Sequence, residues 1–105
     1  MPASTASTSA TVHTTSGAVR GVVIDGVHTF RAVPYAAPPV GPLRFAAPQP
    51  PERWDGVRDA SAFGPTCPQP PGSGLYPQTT IAGDECLHLN VHTPSPGGSG
   101  LPVLV

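Results

Sequence analysis

Apolar and polar residues alternate without a break across Leu87-His88-Leu89-Asn90-Val91-His92-Thr93. A period of two marks a strand with one face buried and one face in solvent. Pro94 closes this strand, SPGGSG follows as a flexible turn, and LPVLV at 101–105 begins another. That last run is apolar throughout, the pattern of a central strand covered on both faces. Nearer the N-terminus, two β-branched runs, 19–24 and 27–33, flank Asp25-Gly26. Asp-Gly between two such runs is the signature of a β-hairpin with a two-residue turn, and Gly26 supplies the positive φ that the turn needs.

Between positions 34 and 83 a proline recurs every few residues. Proline fixes φ and removes a backbone donor, which excludes long helices and central strands here. Extended chain pinned by Tyr35, Phe45, Trp54 and Phe63 fits best, with one turn of helix around 60–63. An irregular stretch of this length is unusual in a compact domain and suits the outer wrapping of a larger body. A strand covered on both faces also needs helical layers, and no segment here is patterned to supply them. The sequence therefore predicts an unfinished domain. Residues 1–16 are rich in Ser, Thr and Ala and lack Lys and Arg, which predicts a disordered arm.

Composition narrows the function classes. Charged residues make up 10% of the 105 positions, against about 25% in an average domain. The formal net charge is -1, and the basic residues (Arg20, Arg31, Arg44, Arg53, Arg58) are scattered singly. No footprint for nucleic acid or an anionic membrane results. No run approaches the ~18 apolar residues of a membrane span. The start has neither the basic nor the apolar part of a signal peptide, which predicts a cytoplasmic protein if Met1 is the true start. Cys67 and Cys86 pull the other way: in an oxidising compartment they would close a loop, in a reducing one they would stay thiols. Compartment stays open.

The densest chemistry lies in GDECLHLNVHTP at 83–94. His88 and His92 have the spacing that chelates one ion on a helix. On a strand, four steps set them roughly 13 Å apart, and no single ion is reached by both. Asp84, Glu85 and a histidine would need a presented nucleophile, and Cys86 is the only one nearby. Neither a metal nor another cofactor is expected, and the stretch is predicted to be structural. Trp54, in a W-D-G context, is expected to pin a turn to the fold rather than to stack a substrate.

Four segments in order, GAVRGVVIDGVHTFRAVPYAAPPVGPLRF (17–45), PPERWDGVRDASAFGPTCPQ (50–69), GDECLHLNVHTP (83–94) and LPVLV (101–105), resemble the N-terminal part of the type-B carboxylesterases, which include the cholinesterases. The resemblance covers 17–105 as one truncated domain. It departs at Ala32, where the family usually has Gly, and at Asp84-Glu85, which replaces Glu-Asp. His88 and His92 fall where the family often has tyrosines. The resemblance implies an α/β-hydrolase fold, represented here by an N-terminal portion that is mostly β with little helix. It implies hydrolysis of a small-molecule carboxylic ester by a Ser–Glu/Asp–His triad. The oxyanion-hole loop, nucleophile elbow, acid and His all fall beyond LPVLV. Gly97-Gly98-Ser99-Gly100-Leu101 lacks the last Gly of an elbow and reads as a linker.

By resemblance, Cys67 and Cys86 form a disulfide, Arg44 pairs with Asp84, and Tyr76 is a candidate for the wall of the active-site gorge. The leading expectation is an N-terminal portion of a serine esterase, inactive alone. Its alternatives are a non-catalytic cholinesterase-like binding or adhesion protein and a self-contained small β module. Oligomeric state is not legible.

Overall fold

A computed structural model describes residues 7–69 and 80–105. Its strands are β1 (Ser7–Thr14), β2 (Gly17–Ile24), β3 (Val27–Pro34), β4 (Val57–Asp59) and β5 (His88–Thr93), with one 3-10 turn at Gly41–Leu43. They form one sheet in the order β1-β2-β3-β5, and β4 pairs with β2 off that path.

The predicted hairpin is β2 and β3, antiparallel with Ile24 opposite Val27. Asp25 at φ 52 and Gly26 at φ 78 are both left-handed, the geometry that two-residue turns need to match strand twist. A second tight turn joins β1 to β2. There the Thr14 hydroxyl donates to the Gly17 carbonyl at 2.7 Å and accepts from the Gly17 and Ser16 N–H groups.

β1 corrects the expectation of a disordered arm for Ser7–Thr14. Its composition is poor in large apolar residues, yet its threonines suit a pleated surface and the edge of β2 offers a full ladder. Val12 packs against the core, and buried Ser9 accepts a hydrogen bond from the Gly21 N–H at 2.8 Å.

The core is small: Val19, Phe30 and Ala60 are buried, with Val12, Val33 and Trp54 packed around them. Ala60 sits where β2 and β3 diverge, donating to the Arg20 carbonyl at 2.7 Å and accepting from the Arg31 N–H at 2.8 Å. The turn of helix expected around 60–63 is absent. In its place, the Asp59 carboxylate accepts from the Ser61 N–H at 2.9 Å, a local bond that competes with helix. Trp54 is the anchor expected: its indole N–H donates to the Ala18 carbonyl at 2.8 Å. Gly17 is required beneath it, since a Cβ there would come within 2.5 Å of the indole nitrogen.

β5 pairs antiparallel with β3 across a bulge between Phe30 and Val33. Its alternation is real in the sequence, but Leu89 and Val91 remain 44% and 40% exposed, and among the described residues no layer lies over that face. The expected strand at 101–105 does not form. Leu104 is 99% exposed, and without a neighbouring strand its backbone has no ladder to join. The radius of gyration, 15.7 Å, exceeds the ~13 Å of a compact domain this long. The observed sheet, with its long irregular connections and almost no helix, is the mostly β portion expected.

Candidate functional site

The region singled out in the sequence begins at Cys86 and runs along β5. Cys86 is buried and Cys67 exposed, and both are free thiols. They lie side by side: the Cys67 thiol donates to the Cys86 carbonyl at 3.6 Å. Burial pushes the Cys86 thiol up from its usual value, and the neighbouring Cys67 adds to the rise. Cys86 is therefore not a poised thiolate nucleophile.

The two histidines serve separate contacts. His88 Nε2 bonds the Pro65 carbonyl at 2.7 Å, tying β5 to the segment that leads to Cys67. His92 Nδ1 bonds the Thr29 hydroxyl at 3.2 Å. Thr29 is buried, so this hydroxyl–imidazole pair is not presented to a substrate. Among the described residues, no group of three metal-ligating side chains comes together. No helix among them is long and apolar enough to cross a membrane.

The expected pairing of Arg44 with Asp84 is corrected. Arg44 lies 5.3 Å from the Phe45 ring centroid, and the ion pair among the described residues is Arg58–Glu85 at 3.8 Å. The expectation required Leu43 and Phe45 to draw Arg44 inward. Phe45 is 96% exposed, so Arg44 stays in solvent and needs no partner. In that pair Arg58 is half-buried and Glu85 exposed, and it contributes about 0–1 kcal/mol. Tyr76 lies outside the described residues.

Two positioning residues, Asn90 and Arg31, escaped the sequence reading. Asn90 Oδ1 accepts the Ala32 N–H at 3.1 Å, replacing a ladder bond lost at the bulge. Ala32 itself sits at φ 57, the left-handed conformation that explains why glycine is usual there. Arg31 donates to the Ser61 carbonyl at 2.9 Å and stacks 4.5 Å from the Phe63 ring centroid. The Leu89-Asn90-Val91 alternation placed Asn90 on β5, but nothing local reveals a partner 58 residues away.

A cavity of about 230 Å³ opens beside the start of β5, lined by Tyr35, Leu43, Pro48 and Leu87 among others. It is mostly apolar, and among the described residues Tyr35 is its only titratable side chain. Among the described residues, then, the chain builds scaffold and an apolar hollow, with no nucleophile–base pair facing solvent.

Comparison with known proteins gives this scaffold a place. The carboxylesterase family model matches residues 8–105. Phenmedipham hydrolase of Pseudarthrobacter oxydans is 50% identical over 98 residues, which is 89% of this chain and 20% of that protein. Para-nitrobenzyl esterase of Bacillus subtilis is 45% identical over 96 residues, 90% of this chain and 20% of its own length. A solved PNB esterase superposes with a TM-score of 0.71 at 45% identity, covering 82% of this chain and 18% of that one. A carboxylesterase of Geobacillus stearothermophilus gives 0.67 at 40% identity, covering 81% and 16%. The chain belongs to the carboxylesterase family and corresponds to an N-terminal portion of its α/β-hydrolase fold. It spans about a fifth of the length of the curated relatives it matches.

Proposed function

We propose that this chain is the N-terminal scaffold of a serine ester hydrolase acting on a small-molecule carboxylic ester. The observation that carries the reading is the family match across residues 8–105, joined to a geometry with no solvent-facing catalytic pair among the described residues. The catalytic serine, its acid and its histidine belong to the part of the fold outside this span, as do the oxyanion donors. What these residues contribute is position. Asn90 and the Ala32 bulge set the path of β5, Trp54 locks the β1–β2 turn, and β5 delivers the chain toward the run at 101–105.

The cysteine pair is proposed to close as a disulfide in an oxidising compartment. The contact between Cys67 and Cys86 supports this, since the side chains are already adjacent. The loop so closed carries Tyr76, which the family resemblance favours as part of the gorge wall.

A chimera tests the reading. Residues 1–105 replace the matching portion of the Bacillus subtilis para-nitrobenzyl esterase, and turnover of a nitrophenyl ester is measured. The chimera is expected to hydrolyse the ester while the 105-residue chain alone does not. A soluble, cooperatively melting chimera without turnover contradicts the proposal and favours a binding role.

A further inference from the structure

A polar hollow lies away from the cysteines and from the apolar cavity beside β5. Alternation along β2 turns Val19 into the core and Arg20 and Val22 to the opposite face. On that face Thr8, Arg20, Val22, Val57, Asp59 and Ser61 line a trough of about 390 Å³. No residue of β5 or of the run at 101–105 lines it.

Two opposite charges meet in this trough without bonding each other. Asp59 of β4 is in register with Arg20 of β2. Neighbouring strands lie about 4.8 Å apart, a span that an arginine side chain crosses easily. Each charge is instead held on its own side. The Arg20 guanidinium donates from Nε and Nη2 to the Thr11 hydroxyl at 3.3 and 3.2 Å. The Asp59 carboxylate accepts from the Ser61 N–H at 2.9 Å. Its bonds from Ser61 hold the carboxyl below the usual 3.8, so it is an anion at neutral pH. The ion pair among the described residues is Arg58–Glu85, on other strand positions. Charged residues are only 10% of the chain, so this opposed pair is not the background of a crowded charged surface.

We propose that this trough binds a small zwitterion, an amino acid or a similar molecule carrying a carboxylate and an ammonium a few bonds apart. The carboxylate is taken by Arg20, whose Nη1 is not used by Thr11 and whose planar guanidinium matches a carboxylate. The ammonium sits against Asp59, whose carboxylate keeps acceptor capacity beyond its bonds from Ser61. Val22 and Val57 border the space left for the carbon chain between the two charges. A plain anion meets Asp59 as a repulsive neighbour, and a plain cation meets Arg20 in the same way. Only a molecule with both charges is attracted twice, which is the basis of selectivity here. Both protein charges are exposed, so the affinity is millimolar and falls as salt is added. No ester chemistry is involved.

The test titrates β-alanine into the isotope-labelled 105-residue chain and follows the backbone amides of Gly21, Val22 and Ser61 by NMR. Saturable shifts centred on these amides are expected. Acetate and methylammonium, with one charge each, are expected to bind at least about tenfold more weakly. Arg20→Gln and Asp59→Asn are each expected to weaken β-alanine binding at least about fivefold, since each removes one of its two charge contacts. Arg53→Gln, outside the trough, is expected to leave binding unchanged. Circular dichroism checks that each variant is folded, and Arg20→Gln alone decides if Asp59→Asn unfolds. The covalent chimera is titrated in parallel by calorimetry, so a poorly ordered isolated chain does not decide the outcome. Acetate binding as tightly as β-alanine, β-alanine binding that survives both substitutions, or no saturable binding to either protein overturns the proposal.

Discussion

Ala32 carries a methyl group at φ 57, a backbone conformation in which an L-residue pays about 1–2 kcal/mol. Ala32→Gly removes that strain. Against it stand the extra freedom that glycine gives the unfolded chain, about 0.5–1 kcal/mol, and the loss of a half-exposed methyl worth a few tenths. The net is a gain of about 0.5 kcal/mol, which at ~4–8 °C per kcal/mol raises the melting temperature by about 2–4 °C. Ala18 is the control: it is buried in β2 and has no positive φ. There, Ala→Gly forfeits a buried methyl and adds chain freedom, a loss of about 1.5 kcal/mol. Trp54 is the single tryptophan, so urea unfolding of each variant is followed by its fluorescence. The two substitutions are expected to move the midpoint in opposite directions, separated by about 2 kcal/mol. If Ala32→Gly destabilises as much as Ala18→Gly, the account of the bulge is wrong.

Gly21 is tight for a different reason: a Cβ there would lie 2.0 Å from the Thr29 carbonyl oxygen, a backbone atom that cannot move aside. Gly21→Ala should cost at least about 1–3 kcal/mol in the same urea assay, and a change near zero refutes the register of β2 on β3. Hydrogen bonds from Ser61, its hydroxyl first and then its backbone N–H, hold the Asp59 carboxyl below its usual 3.8. A lowered folded pKa adds stability above the unfolded value and loses it as pH falls. The stability gap between the native chain and Asp59→Asn is therefore expected to stay constant above pH 3.8 and to close below it in acid titrations followed by circular dichroism. Under reducing conditions at pH 8, exposed Cys67 should alkylate well before Cys86, whose thiol is buried and shifted up; equal rates by mass spectrometry contradict the placement. Oxidation of the pair should add about 3 kcal/mol to the urea stability by constraining the unfolded chain.

Much of this scaffold is legible in local sequence, and the failures have a common cause. Asp25-Gly26 specifies its own turn because the left-handed geometry needs only the two residues themselves. Trp54 and the unusual Ala32 are readable once the family pattern is seen, and both occupy the positions that pattern assigns. β1 is not readable, since Ser-Thr-rich chain forms a strand only when an edge such as β2 is offered. The Arg44 expectation fails because flanking apolar residues say nothing about whether a surface covers them, and among the described residues none does. Residues 101–105 have the pattern of a central strand, but a ladder needs neighbours on both sides. The Asn90 contact with Ala32 and the Ala60 bridge join segments far apart in sequence, so no window of residues could contain them.

The central claim is that this chain can serve as the N-terminal portion of an ester hydrolase. The most direct measurement is kcat/KM of the covalent chimera with the Bacillus subtilis para-nitrobenzyl esterase body, read on a nitrophenyl ester beside the parent enzyme. The scaffold carries no reacting group among its described residues, so the chimera is expected to fall within about a hundredfold of the parent, a loss of under about 3 kcal/mol of transition-state stabilisation. A chimera that folds and melts cooperatively yet turns over no ester above the uncatalysed rate would contradict the account.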